Sequence, residues 1–273
     1  MLLFPQSKIN LGLDIIAKRP DGYHDLSTVM VPIPWTDILE MVPGRGRETT
    51  LTLSGRPVDC PVEKNLVMRA CRLMEAECGI GAVDLYLRKI VPDGAGLGGG
   101  SADAAVTLTG LNSLFGLGLP KETLAGMAAR LGADCPLFVY SEPMLATGTG
   151  TELSPIQLSL KGLHLLVVKP PESVPTAVAY SRVKPQVPSE PIPEILADPI
   201  ETWQGRLKND FEPSVFAAIP RLADIKAKIR GLGAVYTSMS GSGSAMFGLF
   251  RGDILAERVT DLFPDCQTFT ATL

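Results

Sequence analysis

Residues 92–104 read Pro-Asp-Gly-Ala-Gly-Leu-Gly-Gly-Gly-Ser-Ala-Asp-Ala, with five glycines in seven consecutive positions. A stretch so poor in side chains lets backbone N–H groups converge on an anion at a range that side chains would forbid. A strand-like run, residues 83–90, precedes it. Ala104, Leu108, Leu111 and Phe115 follow at spacings of four, three and four, which places them on one face of a helix. Strand, glycine loop and helix start together make a phosphate cradle, because the first helical N–H groups and the positive end of the helix dipole point back into the loop.

Other loops share these letters. Gly94-x-Gly96-x-x-Gly99 satisfies the dinucleotide fingerprint, which also needs an acidic residue about twenty positions on, at the end of a second strand. Glu122 instead follows Pro120 at a helix start. A Walker A loop needs a lysine before its Ser or Thr, and Gly100 precedes Ser101. A flexible linker is not bracketed by an apolar strand and an amphipathic helix. A triphosphate cradle of another kind fits best.

A chain of 273 residues accommodates two medium domains, and 45% apolar with 20% charged residues is the composition of a soluble globular protein. A net charge of -4 gives no electrostatic reason for nucleic acid or an anionic membrane as partner, so small molecules are favoured. The five cysteines are scattered and never spaced Cys-x-x-Cys, which suggests reduced thiols in a cytoplasmic protein. Met1-Leu2-Leu3-Phe4-Pro5 lacks a basic region, and no apolar run approaches eighteen residues, so neither export nor membrane insertion is expected. No heptads mark an oligomer interface.

From Lys8 the pattern alternates: Ile9, Leu11, Leu13 and Ile15 against Lys8, Asn10, Gly12 and Asp14. A half-buried strand results, and Lys8 and Asn10, about 7 Å apart on one side, either grip a ligand or form a solvated face. Pro20-Asp21-Gly22 is a turn, followed by Tyr23, His24 and a strand over residues 26–33; His24 is either a contact residue or a solvated loop histidine. Strands are expected over 37–42 and 49–53, a helix over 65–78, and an ordinary basic loop at Arg45-Gly46-Arg47. A second helix covers 120–131, with Pro120 at its first position and Gly132 closing it. Gly132-Ala133-Asp134-Cys135-Pro136 then leads into a strand at 137–140, where Asp134 is either functional or an Asx-turn cap.

Gly148-Thr149-Gly150-Thr151 reads as a break before a second domain. There a strand at 164–168 is followed by a helix at 176–183, a proline-rich exposed loop at 184–199, helices near Ser214 and at 220–230, strands at 234–239 and 245–250, a helix at 253–263 and a strand at 267–273. That is the split βαβ order of a ferredoxin-like sandwich. Ser240-Gly241-Ser242-Gly243-Ser244, between two of these strands, would be a plain flexible turn in most proteins.

Ser7-Lys8-Ile9-Asn10-Leu11, the glycine loop, the 132–136 corner and the 240–244 hairpin resemble, in this order, the motifs of the GHMP kinase superfamily. Arg19-Pro20-Asp21-Gly22-Tyr23-His24 and Asn209-Asp210-Phe211-Glu212 are similar to the branch that phosphorylates a cytidine diphosphate-linked methylerythritol in non-mevalonate isoprenoid synthesis. The resemblance implies an α+β, two-domain GHMP kinase fold: an N-terminal α/β nucleotide-binding domain, residues 1–147, and a C-terminal ferredoxin-like α/β sandwich, 148–273, on the substrate side. It implies ATP and Mg²⁺, with Asp134 as general base and Lys8 as its cationic partner. Pro92, Gly94, Gly96, Leu97, Gly98, Gly99, Gly100, Ser101 and Ala102 would wrap the triphosphate, Ser101 also meeting the metal. Asn65, Lys89 and Asp103 would lie near the nucleotide, Asp103 standing where relatives often have Asn. Ser240, Gly241, Ser242 and Gly243 would close over the phosphates. Asn10, Tyr23, His24 and Tyr180 would hold the cytidyl half, its base clasped between rings. Homoserine or mevalonate kinases, and a non-catalytic nucleotide-binding protein of the same fold, are the alternatives.

Overall fold

The computed structural model describes every residue except Arg45, Arg47 and Leu255, so the expected basic loop at Arg45-Gly46-Arg47 lies mostly outside the described residues. The strands are β1 (Leu2–Leu3), β2 (Gln6–Lys18), β3 (His24–Thr36), β4 (Ile38–Pro43), β5 (Thr50–Gly55), β6 (Val83–Lys89), β7 (Met144–Thr147), β8 (Glu152–Pro155), β9 (His164–Lys169), β10 (Tyr236–Met239), β11 (Met246–Phe250) and β12 (Gln267–Thr272). The helices are α1 (Leu66–Cys78), α2 (Gly99–Leu114), α3 (Lys121–Ala129), α4 (Cys135–Tyr140), α5 (Thr176–Tyr180), α6 (Ile192–Ala197), α7 (Glu212–Ala218), α8 (Arg221–Gly231) and α9 (Ala256–Leu262). None is long and apolar enough to cross a membrane. All five cysteines are unbridged.

Two compact units divide the chain. The first comprises Met1–Lys8, Trp35–Asp93 and Gly98–Glu142, the second Ile9–Pro34, Gly94–Leu97 and Pro143–Leu273, so the glycine loop contributes to both.

In the first unit the sheet runs β1-β4-β6-β5, with β5 and β6 parallel and the other pairs antiparallel. Helix α1 starts where Asn65 Oδ1 accepts the Val67 N–H at 2.9 Å and stops at Gly79 in the left-handed conformation (φ 63°). Helix α2 buries the small residues Ala102, Ala104 and Ala105 with Leu108 and Leu111, while Phe115 becomes its half-buried C-cap. Gly110 lets α2 approach the sheet: a Cβ there would lie 2.6 Å from Leu3 Cδ1 and 2.9 Å from Met41 Cε. The expected strand at 137–140 is instead the short helix α4. A brief apolar run carries no period that separates strand from helix, and Pro136, in the first turn, favours the helix. Pro120 is the N-cap of α3 rather than its first residue, and α3 ends at Arg130 without a left-handed glycine.

In the second unit β10-β11-β9-β12 form an antiparallel sheet in the order of a ferredoxin-like sandwich. Leu166 and Val168 of β9, with Met246 and Phe250 of β11, pack against Val215 of α7 and Leu222, Ile225 and Ile229 of α8. A second sheet runs β2-β3-β7-β8. Gly148 to Thr151, expected as a break, is the turn of the β7–β8 hairpin, with the Gly150 N–H on the Thr147 carbonyl at 3.0 Å. The proline-rich loop is not wholly exposed either. Pro191 caps α6 and Pro193 occupies its first turn, so the prolines start a helix that buries Ile192, Ile195 and Leu196. Gly12 (φ 69°) makes room for it, since a Cβ there would lie 2.9 Å from Ile192 Cδ1. Gly231 is the last residue of α8, and Gly233 (φ 100°) takes the left-handed turn.

Candidate active site

The alternating side of β2 is not a solvated face: Lys8 is 3% and Asn10 4% exposed. In the first unit Lys8 Nζ lies 3.5 Å from Asp134 Oδ2, the lysine side chain buried and the carboxylate 38% exposed. Asp134 is the residue before α4, yet its side chain makes no capping hydrogen bond, so the Asx-turn cap is not formed. The pair sits beside the start of α2. A Cβ on Gly98 (φ 69°) would come within 3.3 Å of Lys8 Cγ and Cε, so glycine lets the backbone lie on the lysine stem.

Helix α2, sixteen residues long, begins from Gly98 with no side-chain cap and no acid in its first turn. Its leading N–H groups, at Gly99, Gly100 and Ser101, have no intrahelical acceptors and carry the positive end of the dipole, so the residues present fit a phosphate chain. Near Ser101 is the buried Cys135 thiol, which burial pushes up to about 11. Among the described residues no group of three or more His, Cys, Asp or Glu is placed to hold a metal ion. A Mg²⁺ ion would therefore depend on phosphate oxygens and water, as this ion ordinarily does.

Beside this helix start is a pocket of about 170 Å³ lined by Asn65, Lys89, Gly100 and Asp103, with Val58, Cys60, Lys64, Leu66, Leu87 and Asp93. Asn65 spends its oxygen on the α1 cap, which leaves its amide NH₂ as a donor. Lys89 is 3% exposed and donates to Asp103 Oδ2 at 2.7 Å and to Asp37. Asp37 also accepts the Val91 N–H at 2.9 Å and the Ile90 N–H. Two acids around one ammonium in a dry site cannot both stay charged cheaply. Burial, then Asp37, pushes Asp103 up to about 7 against the opposing pull of Lys89. Burial alone would lower Lys89, but the two carboxylates outweigh it and hold the ammonium above its ordinary range. Lys89 thus faces two acids as well as the pocket. Asp37, Val58, Cys60 and Lys64 escaped the sequence reading, because each sits in an unremarkable segment with no periodic signal.

In the second unit the 240–244 hairpin is held, not loose. Ser240 Oγ donates to the Gly96 carbonyl at 2.9 Å and lies 3.4 Å from Asn10 Oδ1, and the Ala245 N–H reaches the Ala95 carbonyl at 3.1 Å. Asn10 Nδ2 donates to Thr28 Oγ1 at 3.0 Å. The first half of the glycine loop therefore docks directly on the hairpin. Gly94 and Gly96 have positive φ, as do Gly241 and Gly243. The rings of His24 and Tyr180 stack at a centroid distance of 4.7 Å and 27°, and Phe211 meets Tyr180 edge to face at 4.7 Å. That spacing leaves no room for a base between the two rings, so they form a platform rather than the clasp expected. Tyr23 beside them is 67% exposed.

The GHMP kinases N terminal domain model matches residues 65–142 and the GHMP kinases C terminal model residues 194–265. The chain is 45% identical over 266 residues to a 4-diphosphocytidyl-2-C-methyl-D-erythritol kinase of Parabacteroides distasonis, covering 97% of each. It is 46% identical over 264 residues to the enzyme of that name from Bacteroides fragilis, covering 96% of this chain and 95% of the relative. A crystal structure of 4-(cytidine 5'-diphospho)-2C-methyl-D-erythritol kinase superposes with a TM-score of 0.85 at 33% identity, covering 99% of this chain and 98% of the other. Homoserine kinase from Cytophaga hutchinsonii, at 18% identity and a TM-score of 0.70 over 98% of this chain and 94% of the other, shares the fold. With both family models matched in sequence order and relatives this similar along nearly its whole length, the chain belongs to the GHMP kinase family.

Proposed function

We propose that this chain uses ATP to phosphorylate the 2-hydroxyl of 4-diphosphocytidyl-2-C-methyl-D-erythritol, in the non-mevalonate route to isoprenoids and in the cytoplasm. Residues 1–147 serve as the ATP-binding and catalytic domain and 148–273 as the substrate side, to which the first stretch also lends Asn10, Tyr23 and His24 from the 9–34 segment of the second unit. The observation that carries the reading is the Lys8–Asp134 pair, 3.5 Å apart beside Gly98 at the uncapped start of α2.

A tertiary hydroxyl is a poor nucleophile at neutral pH, so a carboxylate within hydrogen-bond reach has to take its proton as the oxygen bonds phosphorus. Asp134, only partly buried and unspent on capping, is that base. The Lys8 ammonium, fixed by the packing of its stem against Gly98, steadies negative charge on the transferring group and on the carboxylate. Gly98, Gly99, Gly100 and Ser101 hold phosphate oxygens through backbone N–H groups, with Pro92, Gly94, Gly96, Leu97 and Ala102 shaping the loop. ATP supplies the phosphoryl group; Mg²⁺ would supply neutralisation of phosphate charge, and Ser101 is the residue of this chain that would meet it. Asn65, Lys89 and Asp103 line the nucleoside pocket. Ser240, Gly241, Ser242 and Gly243 close over phosphate through the hairpin.

The His24–Tyr180 platform favours a cytidyl substrate over homoserine or mevalonate, which have no base to stack. Asn10 and Tyr23 join it in holding the cytidyl half. A non-catalytic relative would not need both Lys8 and Asp134. The test is a coupled ADP-release assay offering the cytidyl-methylerythritol, homoserine and mevalonate side by side. Turnover confined to the first supports the reading; turnover with either of the others alone overturns it.

A further inference from the structure

Asn209-Asp210-Phe211-Glu212 takes no part in the chemistry above, yet its side chains tie together several pieces of the second unit. Asn209 is 3% exposed. Its amide nitrogen donates to the carbonyls of Met239 at 2.8 Å and Gly241 at 2.9 Å, and its oxygen accepts the Phe211 N–H at 3.0 Å. Those carbonyls flank Ser240, the residue that meets the glycine loop at Gly96. Glu212 Oε1 accepts the Met239 N–H at 2.9 Å and Oε2 pairs with Lys226 at 2.5 Å, bracing the same strand end. Asp210 Oδ2 accepts the Ile15 N–H at 2.8 Å on β2, the strand that carries Asn10. Phe211 packs at 4.7 Å, nearly perpendicular, against Tyr180, whose ring stacks on His24.

We propose that this segment is a positioning element: Asn209 sets the 240–243 hairpin for nucleotide phosphate, and Phe211 sets the His24–Tyr180 platform for the cytidyl group. The inference rests on the functional reading above and deepens it. One buried amide bridging two carbonyls defines where the hairpin sits, because removing it takes a donor from both, leaving Met239 only the 3.5 Å contact from the Ser238 hydroxyl. The hairpin's other holds at Ser240 and Ala245 run to the glycine loop, whereas Asn209 ties the backbone on both sides of Ser240 to the segment that starts α7.

Titration calorimetry of the full chain with Mg²⁺–AMPPNP and, separately, with CDP tests it. Asn209→Ala should weaken AMPPNP roughly ten-fold or more while CDP changes by less than about two-fold. Asn209→Ser keeps one donor and should fall between, which also covers the case in which the alanine variant fails to fold. Phe211→Leu should weaken CDP roughly three- to ten-fold and spare AMPPNP. Equal losses for both ligands in each variant, or wild-type affinities throughout, overturn the proposal. Should the wild-type chain bind AMPPNP but not CDP, the cytidyl reading fails. The Asn209 arm still decides on AMPPNP alone: a weakened affinity supports that arm and an unchanged one overturns it.

Discussion

Lys89 donates to Asp103 at 2.7 Å while also bonding Asp37, so a single buried ammonium stands between two acids on one wall of the pocket beside the start of α2. The two acids are not equivalent. Asp37 has backbone donors as well, whereas Asp103 Oδ1 has no partner among the described residues. Asp103 is therefore the one that takes a proton, at about 7 instead of 3.8. A carboxyl raised on folding contributes stability that is complete below its unfolded value and is lost as pH climbs through the folded one. The protein should lose stability between about pH 4 and about pH 7 through this group, by as much as ~1.4 kcal/mol for each unit crossed. Asp103→Asn reproduces the neutral form and should remove that slope. Urea midpoints at about pH 5, 6, 7 and 8 check it, and parallel slopes for the two proteins would refute it.

Removing the proposed base separates chemistry from binding. Asp134→Ala should cut kcat by about 10²–10⁴ while leaving the affinity for AMPPNP nearly unchanged, since the proposed phosphate donors are on α2 and not on Asp134. Loss of nucleotide affinity with turnover retained would count against the assignment. Lys8→Met keeps most of the stem that packs against Gly98, so kcat should fall with little loss of thermal stability. Lys8→Ala should lose both.

The site was legible in the sequence where chemistry leaves a local mark. The glycine run and the alternation of β2 each announce themselves within a few residues, because a glycine turn and a pleat are local objects; Asn65, expected inside a helix over 65–78, is instead its N-cap. Burial of Asn10 was not visible, since its cover comes from Thr28 and from Ser240, 230 positions away. Asp37 reads as an ordinary acid opening the expected strand at 37–42, and its tie to Lys89 spans 52 positions. Helices α4 and α6 were hidden for a different reason: six residues are too few to display a 3.6-residue period, and prolines that punctuate loops also start helices.

His24 and Tyr180 make their platform from segments far apart in the chain, so shortening either should act on one substrate only. His24→Ala should raise KM for the cytidyl substrate about three- to ten-fold, as expected from ~0.5–1.5 kcal/mol of ring contact, with KM for ATP held within about two-fold. Steady-state kinetics in which each substrate is varied in turn gives the comparison. Equal rises in both KM values would show that the platform serves something other than the base.

Gly96 provides the most demanding test of how the loop and the hairpin meet. Its φ of 73° is one that a side chain resists, and a Cβ there would run into the Ser240 carbonyl. Gly96→Ala therefore carries two penalties at once: about 1–2 kcal/mol for the left-handed backbone, and a displacement of the hairpin that its backbone contact cannot absorb. The cost should fall on nucleotide binding more than on folding, because the new methyl meets the backbone of the hairpin and not the side chains packed between the β10-β11-β9-β12 sheet and its helices. Gly79→Ala is the control. It has a similar φ of 63° but nothing within 4 Å of the new methyl, so it carries the backbone penalty alone. If the two variants lose the same thermal stability but only Gly96→Ala loses AMPPNP affinity, the contact between loop and hairpin is what organises the phosphate site; equal AMPPNP affinities would place that organisation elsewhere.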